Sequence, residues 1–367
     1  MTGAVAFIFA LLLLILVHEF GHFIVARLSG VAVDEFGFGF PPAIRRWQVG
    51  KTVLSLNWLP FGGFVRLKGE DGEDQSLDSF GAQPVWKRFS IVAAGVVMNM
   101  LLALVLFTAV FTVGAPQDIT AGIPNGATVE NIRQQVVAVL PESPAAEVLT
   151  PGETIVAIDG TAFESVQDLQ VYVREHVDQP LSVLVATAQE KTTRIVTITP
   201  KELSVAGATT PVVGMGVQLA VIADVQFPIW RAPLIAAETL WSQLSAIGTT
   251  LSTALMNLLR GVPSTVDIAG PIGIAAVTGS VVSLGLPTFI QFVALLSLNL
   301  AFVNLLPIPA LDGGRMAFLI IEAVRRKPVS AIIEARFHRI GFAALLLLLC
   351  IVTYADIGHL IRFGNVW

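Results

Sequence analysis

The run Ala6-Phe7-Ile8-Phe9-Ala10-Leu11-Leu12-Leu13-Leu14-Ile15-Leu16-Val17 leads without a break into His18-Glu19-Phe20-Gly21-His22. From Gly3 to Leu28 the only ionisable side chains are His18, Glu19, His22 and Arg27. Such a stretch is long and apolar enough to cross about 30 Å of hydrocarbon at about 1.5 Å per residue. A signal peptide is the competing reading, but the apolar run continues past the charged triplet and has neither a basic leading region nor a small-residue cleavage site. Two histidines and a glutamate inside hydrocarbon cost several kcal/mol unless they are paired or coordinated, so their presence points to function. Residues four apart share a helix face, which lets both imidazoles reach one ion while Glu19 lies beside a water on that ion. Zinc lowers the pKa of such a water from about 15.7 to about 7, and a carboxylate in reach can take its proton. The spacing therefore predicts metal-assisted peptide hydrolysis; a proton or ion path is the other chemistry these residues allow.

Composition agrees with the membrane reading. Of 367 residues, 54% are hydrophobic and only 13% are charged, against about 25% charged in soluble domains, and the mean hydropathy is +0.76. The formal net charge of −5, with no long Lys/Arg run, excludes nucleic acid as a partner. A single cysteine, Cys350, excludes an internal disulfide and a cysteine-based zinc cluster. Any metal must then be held by His, Asp or Glu.

Working outward, three further apolar stretches follow. Residues 89–114 carry no charge, and Lys87-Arg88 precede them. Residues 284–311 are again uncharged, are interrupted by Pro307 and Pro309, and end at Asp312-Gly313-Gly314. The fourth runs from Ile340 to Tyr354 and on towards Leu360. Seven Lys/Arg lie in residues 29–88, and Arg325, Arg326, Lys327, Arg336 and Arg339 lie between spans three and four. The positive-inside rule makes both segments cytoplasmic. Residues 115–224 hold five Lys/Arg against thirteen Asp/Glu and belong on the opposite side. That acidic segment has strand-like runs at 136–140, 154–158, 181–186 and 194–198 and helical spacing at 166–177, enough for a domain with its own core.

The expected organisation is a polytopic α-helical membrane protein of about four transmembrane helices with an inserted extracytoplasmic β-rich domain. Its parts are a first span (1–28) with HExxH, a cytoplasmic, membrane-associated β-hairpin region (29–88), a second span (89–114), and the outer domain (115–224). An amphipathic or interfacial helix with a linker (225–283) follows, with a fifth span as its alternative. A third span with LDGG (284–324), a cytoplasmic link (325–339) and a fourth span with the C-terminus (340–367) complete the chain.

Two histidines leave a catalytic zinc one protein ligand short. His176, His338 and His359 fall in the outer domain, in the link and beyond span four. Asp312 is the sole carboxylate at the end of span three, where two prolines unwind the helix before it and Gly313-Gly314 let the backbone turn after it. Cytoplasmic ends of spans one and three then bring His18, His22 and Asp312 to matching depth.

With HEFGH in the first span and Asn304-Leu305-Leu306-Pro307-Ile308-Pro309-Ala310-Leu311-Asp312-Gly313 in the third, the chain resembles the site-2 protease family of intramembrane zinc metalloproteases. The closer likeness is to its bacterial RseP-type (regulator of sigma-E protease-like) branch. Gly95-Val96-Val97-Met98-Asn99 sits where the family has Gly-Pro-x-x-Asn, with the proline absent. Leu59-Pro60-Phe61-Gly62-Gly63-Phe64-Val65 resembles the branch's membrane-associated β-hairpin, and Ala269-Gly270-Pro271-Ile272-Gly273-Ile274-Ala275 its segment before span three. Glu142-Ser143-Pro144-Ala145-Ala146 followed by Pro151 to Gly160 is similar to bacterial PDZ domains, with Val148-Leu149 in place of Gly-Leu and Glu153 in place of Asp.

The resemblance implies one Zn2+ per chain on His18, His22 and Asp312, with Glu19 as general base. It implies an inner-membrane enzyme whose active site faces the cytoplasmic side and whose PDZ-like domain lies outside. Its implied partners are membrane lipid and transmembrane substrates, anti-sigma factors trimmed on the outer side or remnant signal peptides. A substrate helix must unwind before a carbonyl is exposed, and the hairpin edge at Gly62, Gly63 and Phe64 can replace its lost hydrogen bonds. Asn304 and Asn299 are the candidate amide donors to substrate or oxyanion, with helix packing as the competing account. A zinc or proton transporter using the same ligands is the alternative function; it needs a continuous polar path, and spans two and four offer almost none.

Overall fold

The computed structural model describes residues 2–70, 74, 76–140, 142–163, 165–187, 192–203, 212–261 and 270–363. Pro141, Ala269 and residues 364–367, all part of the sequence readings above, lie outside them. In chain order the elements are α1 (Thr2–Leu28), β1 (Val33–Val49), β2 (Thr52–Leu67), α2 (Val85–Val113), β3 (Ala115–Asp118), β4 (Thr128–Val139) and β5 (Thr154–Ile158). They continue with α3 (Val166–Glu175), β6 (Leu181–Ala186), β7 (Thr193–Ile198), β8 (Lys201–Leu203), β9 (Val212–Gly214) and β10 (Val217–Gln226). The last five are α4 (Ala232–Leu259), α5 (Pro271–Ser283), α6 (Leu286–Leu305), α7 (Asp312–Arg325) and α8 (Ala331–Phe363). Among the described residues four helices are long and apolar enough to cross a membrane: Gly3–Leu28, Val85–Val113, Leu286–Leu305 and Ile332–Gly358. Helix α4 is not one of them.

Two compact units divide the chain: Met1–Thr108 with Pro233–Val282 and Phe289–Trp367, and Ala109–Ala232 with Ser283–Thr288. In the second, a six-stranded sheet has the order β3-β10-β4-β5-β6-β7, every neighbouring pair antiparallel. Val136, Ile158, Leu181, Val183 and Ile198 of this sheet close on Leu169 and Val173 of α3 to form its core. Ser165 caps α3 by accepting the N–H of Asp168 at 3.0 Å. The four sequence-read strands and the helix fall where these elements do, whereas β3 and β10, which extend this sheet beyond β4, are not among the strands read from the sequence.

The first unit places the chemistry. Residues 29–88, read as a β-hairpin region, hold two long antiparallel strands, β1 and β2, joined at residues 50–51. Residues 35–38 of β1 meet 63–66 of β2 on one side and 53–56 on the other. The pair thus lays down more than two ladder rows, and the row at 63–67 is outermost, with no strand on its other side among the described residues. Span three is interrupted around its two prolines: helix α6 stops at Leu305 and the chain restarts as α7 at Asp312. Pro307 and Pro309 have no N–H to continue the ladder, and Ala310 between the two helices has φ +70°. The fourth helix begins at Ala331, inside the stretch read as a link to residue 339, because Pro328 ends the turn and the charged Glu334, Arg336 and Arg339 are carried on its first turns.

Near this end Arg88 of α2 donates to both carboxylate oxygens of Glu322 on α7, at 3.2 and 2.5 Å, with both side chains largely buried. Two helices distant in sequence are thereby fixed in register by a bidentate pair.

Candidate metal centre

His18 and His22 are one turn apart on α1, with ring centroids 4.8 Å apart in an edge-to-face arrangement. Their Nε2 atoms are 3.2 Å apart. Asp312 Oδ2 lies 2.9 Å from Nε2 of His18 and 3.4 Å from Nε2 of His22. Nδ1 of His22 lies 2.8 Å from the carbonyl oxygen of Ile91. A donor is needed there, so the ring proton sits on Nδ1 and the Nε2 lone pair turns inward. Asp312 Oδ2 is buried and no hydrogen bond satisfies it. Three electron-rich atoms therefore converge on one point with no internal proton to share among them all. Zinc ligands at about 2.0–2.2 Å in a tetrahedral site are about 3.3 Å from one another, which matches these separations. The residues present fit a zinc ion.

Each element contributes for a local reason. Helix α1 carries the imidazoles on one face by the four-residue spacing. Asp312 is the first residue of α7, where the partial positive charge of a helix N-terminus favours a carboxylate. Helix α2 supplies space. A Cβ on Gly95 would lie 2.5 Å from Nε2 of His22 and 2.6 Å from Cε1 of His18, and one on Gly21 would lie 2.5 Å from the carbonyl oxygen of Ala94. Two glycines thus let α1 and α2 cross closely enough for the rings to fit. Asn99, one turn beyond Gly95, has its amide nitrogen Nδ2 3.3 Å from Nδ1 of His18, while its Oδ1 is buried without a partner. With the carboxamide turned over, Oδ1 would accept the Nδ1 proton of His18 and free Nε2 for a metal.

Glu19 faces a cavity of about 170 Å³ that it shares with His18, His22, Asp312, Phe64, Val65, Glu70 and Arg315. Residues 63–65 of the outermost row run past it: a Cβ on Gly63 would be 3.5 Å from Cγ of Glu19. Gly62 has φ +107°, which L side chains rarely adopt, and so turns the chain into this row. Arg315, one turn after Asp312 on α7, pairs with Glu70 at the rim. The segment bearing Glu70 is pinned by Lys68, whose hydrogen bond to Asp78 at 2.7 Å holds that carboxyl below its ordinary pKa.

The structure therefore brings together His18, Glu19, His22, Asp312, Gly63 and Phe64. It does not bring Asn299 and Asn304 into this cavity; Asn299 is exposed and donates to the Leu295 carbonyl on its own helix at 3.0 Å. His176 lies in the β-rich unit, with Nδ1 against the Tyr172 carbonyl at 2.8 Å. Arg315 and Glu70 escaped the sequence reading; the only signal for Arg315 was its three-residue distance from Asp312.

Comparison with known proteins gives the family. Peptidase family M50 matches residues 6–348, and the chain belongs to that family, the site-2 proteases. It is a zinc metalloprotease by this membership. The regulator of sigma-W protease RasP of Bacillus subtilis is 29% identical over 439 aligned positions, covering 97% of this chain and 98% of that protein. The zinc metalloprotease RasP of Bacillus licheniformis is 29% identical over 445, covering 98% and 100%. A PDZ domain of an SdrC-like protein from Listeria monocytogenes matches at 28% identity over 25% of this chain and 92% of that one, with a TM-score of 0.21, at which no common fold follows.

The cradle at Gly95 yields a prediction. Gly95→Ala places a methyl group on both imidazoles, so purified protein should lose most of its zinc, read by elemental analysis, and proteolysis should fall in proportion. Wild-type zinc content in that variant would show that α2 does not set the ring positions.

Proposed function

We propose that His18, His22 and Asp312 hold one zinc ion per chain and that Glu19 is the general base of an endopeptidase that cuts membrane-spanning proteins within or beside the bilayer. The observation that carries this reading is the convergence of two Nε2 atoms and one carboxylate oxygen, within 4.8 Å of one another, beside a second carboxylate, that of Glu19. Zinc bound there would polarise the substrate carbonyl and lower the pKa of water to about 7. Glu19 takes the proton of the attacking water and delivers it to the leaving amine nitrogen. The outermost row at 63–66 offers its outward N–H and C=O groups to an unwound substrate segment, with Phe64 and Val65 lining the cavity on the way in. Asn299 is tied to its own helix and Asn304 does not line the cavity, so a substrate contact for Asn304 has only the family resemblance behind it.

The cation distribution supports a site near the cytoplasmic face of the inner membrane, with the β-rich, PDZ-like unit outside. The Bacillus subtilis relative named as a regulator of sigma-W protease supports anti-sigma factors as substrates, with remnant signal peptides as a second group.

Two variants separate chemistry from ligation. Glu19→Gln should abolish cleavage of a model transmembrane substrate, a loss of at least about 100-fold, while zinc stays near one per chain; Asp312→Ala should lose zinc as well. Full turnover by Glu19→Gln would defeat the mechanism, and stoichiometric zinc in Asp312→Ala would defeat the third ligand. Phe64→Pro removes a backbone donor from the substrate-pairing row, so cleavage should drop with zinc retained; unchanged turnover would leave that row as an anchor only. For orientation, in a Cys350→Ser background a cysteine placed at Ser76 should resist an impermeant thiol reagent applied to intact cells, and its labelling from outside would reverse the assignment.

A further inference from the structure

The connection from Leu306 to Leu311 delivers Asp312 to the imidazoles, and the backbone bonds within it are short-range ones, Ile308 N–H to the Leu306 carbonyl and Leu311 N–H to the Ile308 carbonyl. Pro307 and Pro309 contribute no N–H, and Ala310 stands at φ +70°, a conformation that costs a non-glycine residue of order 1 kcal/mol. A backbone in that state persists only when its surroundings over-determine it. The surroundings come from α8. Nδ1 of His338 accepts the N–H of Ala310 at 2.9 Å. One turn further on, Gly341 leaves room for the same connection, since a Cβ there would fall 2.0 Å from Cβ of Pro309. On the other flank Gly314 lies under the Ile308 carbonyl, where a Cβ would fall 2.4 Å from the oxygen and 3.4 Å from Cε1 of His338. Nε2 of His338 is buried without a partner, so the hydrogen bond to Ala310 is the polar contact the imidazole makes.

We infer that His338 is a positioning residue for the metal centre: its Nδ1 clamps the Ala310 amide, and through it fixes the turn that presents Asp312. It touches neither substrate nor metal. The fourth membrane helix thereby becomes part of the active-site scaffold. This inference rests on the assignment of Asp312 as a ligand, and its test keeps the two apart.

Leucine and asparagine have nearly the same shape, and only asparagine places an acceptor, Oδ1, where Nδ1 of histidine stands. The full-length protein is therefore compared as His338→Leu and His338→Asn. Hydrogen exchange of the segment 305–312 is measured in chelator-stripped protein, and zinc affinity is measured by competition with a chromophoric chelator. His338→Leu should speed exchange of this segment and weaken zinc binding about 10- to 100-fold, the range for loss of a supporting partner of a metal ligand. His338→Asn should stay near wild type in both. Adding Ala310→Gly to His338→Leu should recover part of the affinity, because glycine holds φ +70° without strain. Equal exchange and affinity in the leucine and asparagine variants would overturn the clamp. Faster exchange with unchanged affinity, in a protein whose Asp312→Ala variant does lose zinc, would overturn its link to the metal; unchanged zinc in Asp312→Ala would instead fail the ligand assignment on which the inference stands.

Discussion

Two imidazole lone pairs and a carboxylate oxygen held within hydrogen-bonding distance of one another, at membrane depth, are an electrostatic liability that only a cation removes. The rest of the first unit can be read as the means of building that liability. An α-helix brings His18 and His22 together without help, but the third ligand must come from a distant element pointing the other way. A helix that breaks before Asp312 and restarts on it solves the problem, since the new N-terminus aims both the side chain and the helix dipole at the site. Close approach of α2 then encloses the rings, and glycine at 21 and 95 is what makes that approach sterically possible.

The same arrangement sets the catalytic surface. Glu19 is adjacent in sequence to His18 but points towards the strand row at 63–65 rather than into the ligand cluster, so base and ligands share a cavity without competing for one position. Gly63 brings bare backbone past the base. An incoming extended segment would therefore find hydrogen-bonding groups beside the carboxylate, which a helix in lipid must otherwise satisfy internally. Arg88 with Glu322 and Arg315 with Glu70 tie α7 to α2 and to the segment after β2. The helix that carries Asp312 is thus held from two sides by charge.

How much of this was legible in the sequence depends on whether a residue's role is local. HEFGH was readable because four-residue spacing and an apolar setting suffice, and Asp312 because prolines, glycines and the need for a third ligand meet there. Gly95 was found only as part of a resemblance: a glycine in an apolar helix carries no sign that two imidazoles lie against it. His338 was set aside for its position in a presumed link. The helix that carries it starts at residue 331, and a contact to Ala310 across 28 residues leaves no periodic trace. Strand β10 belongs to its sheet only through partners about 90 residues earlier in the chain.

Zinc K-edge absorption on the purified full-length protein, together with its metal content, tests the central claim most directly. The account predicts one zinc per chain surrounded by nitrogen and oxygen alone at about 2.0–2.2 Å, with the multiple-scattering signature of two imidazoles. A sulfur neighbour at about 2.3 Å, or a spectrum with three or more imidazoles, would contradict the assignment of His18, His22 and Asp312 as the metal's protein ligands.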